Sequence, residues 1–404
     1  MIKRKKYLKD IRGFYNDTSL IKIIYGLRRS GKSVILTQII KELKEKKVAE
    51  DHIIYIDFEL LTYSAIRTAK DLDDYVLSYT KDKGIYYVFC DEIQRIEDFE
   101  LGINSLRARG NYSVFITGSN SRMTFMELST DLSGRYVSFK INPLSFKEIV
   151  ALTKTKEDEY NKLIHDIFEW GSLPHRFFYK DDTDGRMKIN YIQDVYNSII
   201  LRDIIERLGL RDTTTFNKIL QYLIEIEGRE FSAENIQEFM KIEHKEISTE
   251  TLYIYLDALC SKFILNKVYR YDIEGKKILK TLNKYYSSDL GIRNIKNSKK
   301  ELNYTVCLEN LVYNELIQKG YEVYIGKTKK GEVDFVASKN KEVKYIQVCY
   351  RLSDSEDTIL REFGAYEFIS DNYPKYVISL DRDNYSRNGI KHVNAIDFFL
   401  DDNF

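Results

Sequence analysis

The sequence predicts an α/β protein with a parallel sheet near its N-terminal end, a helical stretch after it and a second mixed region toward its C-terminal end. Three observations carry that expectation. A short apolar run at 21–25 leads through a glycine-bearing loop into the helix-patterned stretch VILTQIIKEL. A second run, IYYVFC at 85–90, is apolar without alternation, as a strand covered on both faces requires. From PLSFKEI at 143–149 to about Ile224 the period is that of helices, and short strands return afterwards.

The bulk properties bound what such a chain can do. Its 404 residues leave room for about three domains, and 43% apolar content fills real cores, which excludes a disordered protein. Lys and Arg number 63 against 62 acids, so no global field draws in nucleic acid or an anionic membrane, and any such binding must come from local patches. Cys90, Cys260, Cys307 and Cys349 form no CxxC pair, which argues against a disulfide framework and a zinc knuckle. The N-terminal MIKRKKYLKDIRGFY is basic but has no apolar core of a signal peptide, and no run approaches the roughly 18 apolar residues of a membrane span. A cytoplasmic protein without a membrane partner is expected.

The loop after the first strand reads GLRRSGKS at 26–33, a complete G-x-x-x-x-G-K-S pattern between a strand and a helix. Gly26 and Gly31 let the backbone fold closely around phosphate oxygens, so that successive N–H groups and the helix N-terminus face negative charge. Lys32 is expected to reach the β- and γ-phosphates and the Ser33 hydroxyl to ligate Mg²⁺. Gly26, Leu27, Arg28, Arg29, Ser30, Gly31, Lys32, Ser33 and Val34 form the expected nucleotide-binding set for ATP or ADP.

The second strand ends in Asp91-Glu92, and two acids at a buried strand tip need a reason. Asp91 is expected to hold Mg²⁺ through water, and Glu92 to orient or deprotonate an attacking water. A third strand, Tyr112 to Ile116, runs into TGSNS at 117–121. Thr117, Ser119 and Asn120 are candidates to hydrogen-bond the γ-phosphate or the lytic water.

These segments resemble the AAA+ superfamily, and within it the prokaryotic ATPases whose P-loop domain precedes a C-terminal domain of unknown function. The resemblance runs over nearly the whole chain, through GLRRSGKS, FCDEIQRIEDFE, FITGSNS, LSGRYVSFKINPLSFKEI, GSLPH, KYYSSDLGIRN, LENLVYNEL and GEVDFVA. It implies that Ser119 or Asn120 is sensor 1. It also implies that Arg135 occupies the place of an arginine finger, which would complete a neighbouring subunit's site in a homo-oligomer. The GSLPH turn at 171–175 would lie near the nucleotide, with Arg176 the nearest arginine for sensor 2. The catalytic set expected is thus Lys32, Glu92, Ser119, Asn120 and Arg135, with Ser33 and Asp91 on the metal.

Two further modules are expected behind the helical lid. A short helix opened by Ser232, a polar turn and a second helix burying Leu252, Leu256, Leu259 and Phe263 precede two strands around Glu274-Gly275, the order of a winged helix-turn-helix. DNA would meet the second helix and Lys276, Lys277 and Lys280 of the wing, although Glu250, Tyr253 and Asp257 on that helix oppose it. The last region has the layout of a restriction-endonuclease-like fold, with Glu309 and Asp334 in place but Gln347 and Cys349 where the fold's active members carry Glu and Lys.

The fold class expected is therefore α/β: a P-loop AAA+ core with a parallel sheet at 1–142, a helical lid at 143–225, a winged helix-turn-helix at 226–295, and a restriction-endonuclease-like α/β domain at 296–404 with degenerate chemistry. The function expected is Mg-dependent ATP hydrolysis driving a conformational switch of attached DNA- or partner-binding domains. A nucleotide-gated DNA-binding or scaffold protein and an ATP-regulated nuclease are the alternatives.

Overall fold

The computed structural model describes residues 2–119, 134–179, 182, 184–206, 209–210, 212–295, 302–329 and 331–404, with the backbone alone at 202 and 280. It divides into two units, Met1–Pro143 with Ser261–Phe263, and Leu144–Cys260 with Ile264–Phe404.

The first unit runs α1 (Lys5–Arg12), β1 (Ile21–Tyr25), α2 (Lys32–Glu45), β2 (Ile53–Asp57), α3 (Ala69–Ser78), β3 (Tyr86–Asp91), α4 (Phe99–Ala108), β4 (Tyr112–Gly118) and β5 (Tyr136–Lys140). Its five strands are all parallel, in the order β2-β3-β4-β1-β5. Helices cover both faces, which is why β3 and β4 are buried at every position and read as continuous apolar runs. On one face Ile103, Leu106, Leu72 and Val76 of α3 and α4 pack against Ile56, Val88 and Ile116. On the other, Leu8 and Ile11 of α1 join Ile35, Leu36, Ile39 and Leu43 of α2 over Ile24, Phe89 and Phe115. Thr68 opens α3 with a capping box to Asp71, satisfying two backbone donors that the helix start leaves orphaned.

The parallel sheet sets where a site forms. All five strands point the same way, so the ends of β1, β3 and β4 lie side by side, and ligands of such sheets bind outside the carboxyl ends of the strands.

The second unit begins with helices α5 (Phe146–Thr153), α6 (Tyr160–Trp170), α7 (Arg186–Asn197), continued as a π-helix over Ser198–Glu206, and α8 (Thr213–Glu225). Next come α9 (Ala233–Ile242) and α10 (Thr249–Ser261), the hairpin β6 (Leu265–Asp272) and β7 (Lys277–Ser287), and α11 (Leu290–Asn294). The rest is α12 (Tyr304–Gln318), β8 (Glu322–Lys327), β9 (Glu332–Lys339), β10 (Glu342–Val348), α13 (Glu356–Gly364), β11 (Lys375–Ser379), β12 (Lys391–Asn394) and α14 (Ala395–Leu400). The second sheet is mixed, in the order β12-β11-β10-β9-β8-β6-β7.

The β6-β7 hairpin follows two helices, as a wing does, but it does not stand apart. β6 pairs in parallel with β8, Arg270 opposite Ile325 and Tyr271 opposite Gly326, so the hairpin is the edge of the C-terminal sheet. Pairing gives the free edges of β6 and β8 partners for backbone groups that would otherwise be exposed. Among the described residues, no helix is long and apolar enough to cross a membrane.

Candidate functional site

The loop after β1 has the geometry that its glycines allow. Gly26 sits at φ +144°, and a Cβ on it would lie 2.2 Å from the Ile141 carbonyl oxygen, so any other residue would push the exit of β5 away from the loop. Gly31, at φ +103°, is the N-cap of α2 and leaves the first N–H groups of that helix without intrahelical partners. Between them Leu27 and Ser30 are buried, Arg28 is half-buried and Arg29 is exposed with a left-handed backbone. The Ser30 hydroxyl is buried without a hydrogen-bond partner. Ser33 is exposed in the first turn of α2, and Val34 beside it is half-buried.

Lys32 reaches back over the loop. Its Nζ donates to the carbonyls of Gly26 and Leu27, both at 3.3 Å, and lies 3.9 Å from Glu92 Oε1. That ion pair joins the loop to the tip of β3 across the intervening strand β4. Asp91, at that tip, is 2% exposed, and both its oxygens are engaged: Oδ1 accepts from the Thr117 hydroxyl and Oδ2 from the Tyr55 hydroxyl at 3.0 Å. Thr117 Oγ1 also accepts from the backbone N–H of Glu92 at 3.0 Å. One hydroxyl on β4 thereby fixes the acid that ends β3 and the backbone of the acid after it.

Glu92 adopts a left-handed backbone at φ +54°, which turns its side chain off the strand axis. Its carboxylate accepts from Ser119 Oγ at 3.3 Å and from Gln94 Nε2, besides facing Lys32. A carboxylate held by a hydroxyl, an amide and an ammonium is oriented without being consumed, since each carboxylate oxygen accepts more than one bond. Burial and the Asp91 charge raise the Tyr55 hydroxyl's pKa, so it stays protonated and donating.

Lys32, Asp91, Glu92, Thr117 and Ser119 therefore gather at one edge of the sheet. Asn120 lies outside the described residues. Arg135 is exposed just before β5, where its carbonyl accepts from the Ile21 N–H at 2.9 Å. Tyr55 and Gln94 escaped the sequence reading. Tyr55 was accessible in principle, because a strand beside β3 that alternates its faces must put one side chain near Asp91; Gln94 carries no local signal.

Residues with expected roles in the second unit are placed differently. Arg176 is 1% exposed; its Nη1 donates to Asp166 and its Nε to the Gly171 carbonyl, both at 2.7 Å, while its Nη2 is buried without a hydrogen-bond partner. The GSLPH turn is tied to the SSDLGIRN segment, because Ser172 N donates to Asp289 Oδ2 at 2.6 Å. Both motifs are thus packed within this unit, with the Arg176 guanidinium in its interior. Lys276 and Lys277 are exposed at the hairpin turn, and the side chain of Lys280 lies outside the description.

Beside the C-terminal mixed sheet, Glu309 of α12 is buried and Asp334 of β9 is half-buried. Glu309 Oε1 accepts from Tyr286 OH at 2.6 Å, and Asp334 Oδ2 from Val348 N at 2.8 Å, while Gln347 Oε1 accepts from Asp334 N at 3.2 Å. The ammonium that the sequence reading found absent does exist, but on another strand: Lys284 of β7 pairs with Glu332 and lies 4.0 Å from Glu309. Burial raises the pKa of Asp334 well above the usual carboxylate range and raises that of Glu309, against the lowering influence of the Lys284 ammonium. Among the described residues no group of three His, Cys, Asp or Glu side chains is arranged to hold a metal ion.

A phosphate-binding loop at a helix start, an acid pair at a neighbouring strand tip and a polar strand end between them define an AAA-type P-loop domain. A family model described as an AAA domain matches residues 18–150, and one described as a domain of unknown function (DUF8612) matches residues 161–302. The chain is 35% identical over 383 residues to an uncharacterized protein of Haemophilus influenzae, covering 94% of this chain and 93% of that one, and it belongs to the same family. It is also 30% identical over 363 residues to an uncharacterized protein of Methanocaldococcus jannaschii, covering 86% and 78%. Among solved structures it resembles a Walker-type ATPase of Pyrococcus abyssi with a TM-score of 0.51 at 16% identity, over 73% of this chain and 96% of that one, a likeness of fold.

Proposed function

We propose that this protein binds ATP with Mg²⁺ at the loop 26–33 and hydrolyses it, and that the reaction switches the conformation of segments that engage a partner. The observation that carries the reading is the Lys32–Glu92 approach of 3.9 Å, which brings the phosphate-binding loop and the candidate base to one edge of the sheet.

The residues fit the substrate and its cation. Backbone N–H groups at the start of α2 and the buried Ser30 hydroxyl offer donors to phosphate oxygens. The Lys32 ammonium lies against two carbonyl oxygens and the Glu92 carboxylate, and exchanging such contacts for phosphate oxygens preserves its charge pairing. Ser33 and Asp91 would hold Mg²⁺, which when bound neutralises charge on the β- and γ-phosphates. Glu92 would accept a proton from the attacking water, Ser119 and Gln94 keeping its carboxylate aimed. Thr117 and Tyr55 keep Asp91 in place. Arg135 would act on the γ-phosphate of a neighbouring copy, which makes self-association in the presence of ATP part of the reading.

The acidic character of the helix-turn-helix favours a protein partner over DNA. Between 226 and 263, the acids outside the interior, Glu230, Glu234, Glu238, Glu243, Glu246, Glu250 and Asp257, outnumber Arg229, Lys241 and Lys245. The four-part division at 142, 225 and 295 belongs to the same proposal.

The direct test is release of labelled phosphate from Mg·ATP by wild-type protein and Lys32→Ala, each purified and incubated separately. Release by the wild type and none by the variant is expected. Equal release from the two ends the proposal.

A further inference from the structure

The basic N-terminal segment, which precedes the stretch matched as an AAA domain, is built into the back of the phosphate-binding loop. Arg4 is 2% exposed. Its Nη1 donates to the Ser30 carbonyl at 3.2 Å, and its Nη2 to the carbonyls of Asn142 at 3.1 Å and Pro143 at 3.5 Å. The guanidinium stacks on the Tyr7 ring at 4.7 Å. Its Nη1 would stand 3.7 Å from a Cβ on Gly31.

The surroundings hold this arrangement in register. The backbone N–H of Arg4 donates to Gln38 Oε1 of α2 at 3.0 Å, and Gln38 Nε2 donates to the Ile2 carbonyl at 2.7 Å. Asn142 N donates to the Tyr7 hydroxyl at 3.2 Å, and Ile141 N to the Tyr25 carbonyl at 2.7 Å. The exit of β5 is thus pinned to the loop from two sides, by Gly26 lying against Ile141 and by Arg4.

A phosphate-binding loop presents its N–H groups to the ligand and turns carbonyls outward, and a buried outward carbonyl must find a donor. Arg4 supplies that donor to Ser30 and places a fixed positive charge behind the loop. A planar guanidinium can bond Ser30 and Asn142 at once, a geometry that a lysine cannot reproduce in full.

We propose that Arg4 is a positioning residue for the nucleotide site: its guanidinium, bonded to the Ser30, Asn142 and Pro143 carbonyls, holds loop 26–31 in the conformation that receives phosphate. The inference rests on the reading of that loop as an ATP site. It predicts a loss of nucleotide affinity more than of turnover, because a cradle that grips phosphate alike before and during reaction contributes uniform binding.

The test uses the full chain with Arg4→Met, Arg4→Lys and, as a control on the same segment, Arg12→Met, which removes the ion pair to Glu42 and touches nothing in the loop. Steady-state KM and kcat for Mg·ATP are measured below each variant's melting temperature, alongside calorimetric affinity for Mg·ATP. Removing charge-assisted bonds of this kind predicts a KM for Arg4→Met raised roughly tenfold or more, with kcat within about threefold of wild type. Arg4→Lys, keeping the charge and one donor, should recover part of the loss, and Arg12→Met should melt lower with an unchanged KM.

If Arg4→Met melts lower but keeps the wild-type KM and affinity, its role is structural and the proposal falls. Should Arg4→Met not fold, Arg4→Lys decides: a KM raised several-fold supports the proposal, and a wild-type KM overturns it. Wild-type protein giving no heat with Mg·ATP would instead remove the ATP-site reading itself, and this proposal with it.

Discussion

At the scale of single residues, Glu92 is the group whose chemistry is most exposed to test. It is reached by Ser119, Gln94 and Lys32 but buried by none of them, with a side chain 18% exposed. A glutamine there keeps the shape and can still accept from Ser119, while losing the basicity needed to take a proton. Glu92→Gln is therefore expected to lower phosphate release by about 10²- to 10⁴-fold, the usual worth of a general base, and to leave ATP binding intact. Filter retention of labelled ATP checks it, since the variant should hold unhydrolysed ATP through many wild-type turnover times. Unchanged turnover would assign base chemistry elsewhere, whereas negligible turnover in both proteins would leave a nucleotide-holding protein as the better reading. Asp91 differs in kind, because Tyr55 and Thr117 occupy its oxygens and hold it as part of the sheet edge. The contrast explains what could be read without coordinates: Lys32 and Asp91-Glu92 announce themselves because phosphate chemistry demands fixed residue types at fixed spacing. Tyr55, Gln94 and Arg4 act through neighbours distant in sequence, so no local pattern marks them.

At the scale of elements, α1 shows how a basic stretch that looks like solvated surface becomes part of the core. Tyr7, Leu8 and Ile11 are buried on one side, while Arg12 and Lys3 clamp Glu42 of α2 at 2.9 and 2.8 Å and Tyr15 donates to it at 3.1 Å. The Arg12 hydrogen bond is the main lowering influence against the cost of burial, and with Lys3 and Tyr15 it brings the Glu42 carboxyl from 4.5 down to about 2. A folded value below the unfolded one means that the unfolded chain binds more protons between them. The stabilisation is thus complete above about pH 4.5 and lost as pH falls from there through about 2. Lys3 and Arg12 are half-exposed, so solvent screening leaves about 1–2 kcal/mol of it. Urea unfolding of wild type and Glu42→Gln should therefore differ by about that much at pH 7, and the gap should narrow toward pH 2.5. An equal gap at both pH values would mean that shape, not charge, sets Glu42's contribution. Elements were legible to the extent that their signals are local. The apolar runs of β1, β3 and β4 and the capping residue Ser232 could be read directly, whereas β6 pairing with β8 could not, since parallel partners are chosen by tertiary packing across an intervening stretch of chain. The same distance hid Lys284, which meets Glu332 and Glu309 only when β7 joins the C-terminal mixed sheet.

At the scale of the whole molecule, charge decides between the partners that the fold leaves open. The helix-turn-helix and endonuclease-like layouts expected from the sequence are both used on DNA, and each would need a basic surface to neutralise phosphates. The chain carries a formal charge of +1, so the molecule supplies no background attraction. On α10 the exposed positions include Tyr253 and Ile254 beside Glu250 and Asp257, a surface that repels a phosphate backbone and offers apolar area to a protein. Glu309 and Asp334 of the last region do not change this, each being hydrogen-bonded within it. Binding of a labelled 25-base-pair duplex, followed by fluorescence anisotropy at 150 mM salt with and without Mg·ATP, is therefore expected to be weaker than about 1 μM, in the range of non-specific association or below. A tighter complex whose affinity drops steeply with added salt would show that lysines of the hairpin turn, Lys276 and Lys277, dominate over the acids of α10. It would also change the proposed switch from one that engages a protein to one that engages DNA.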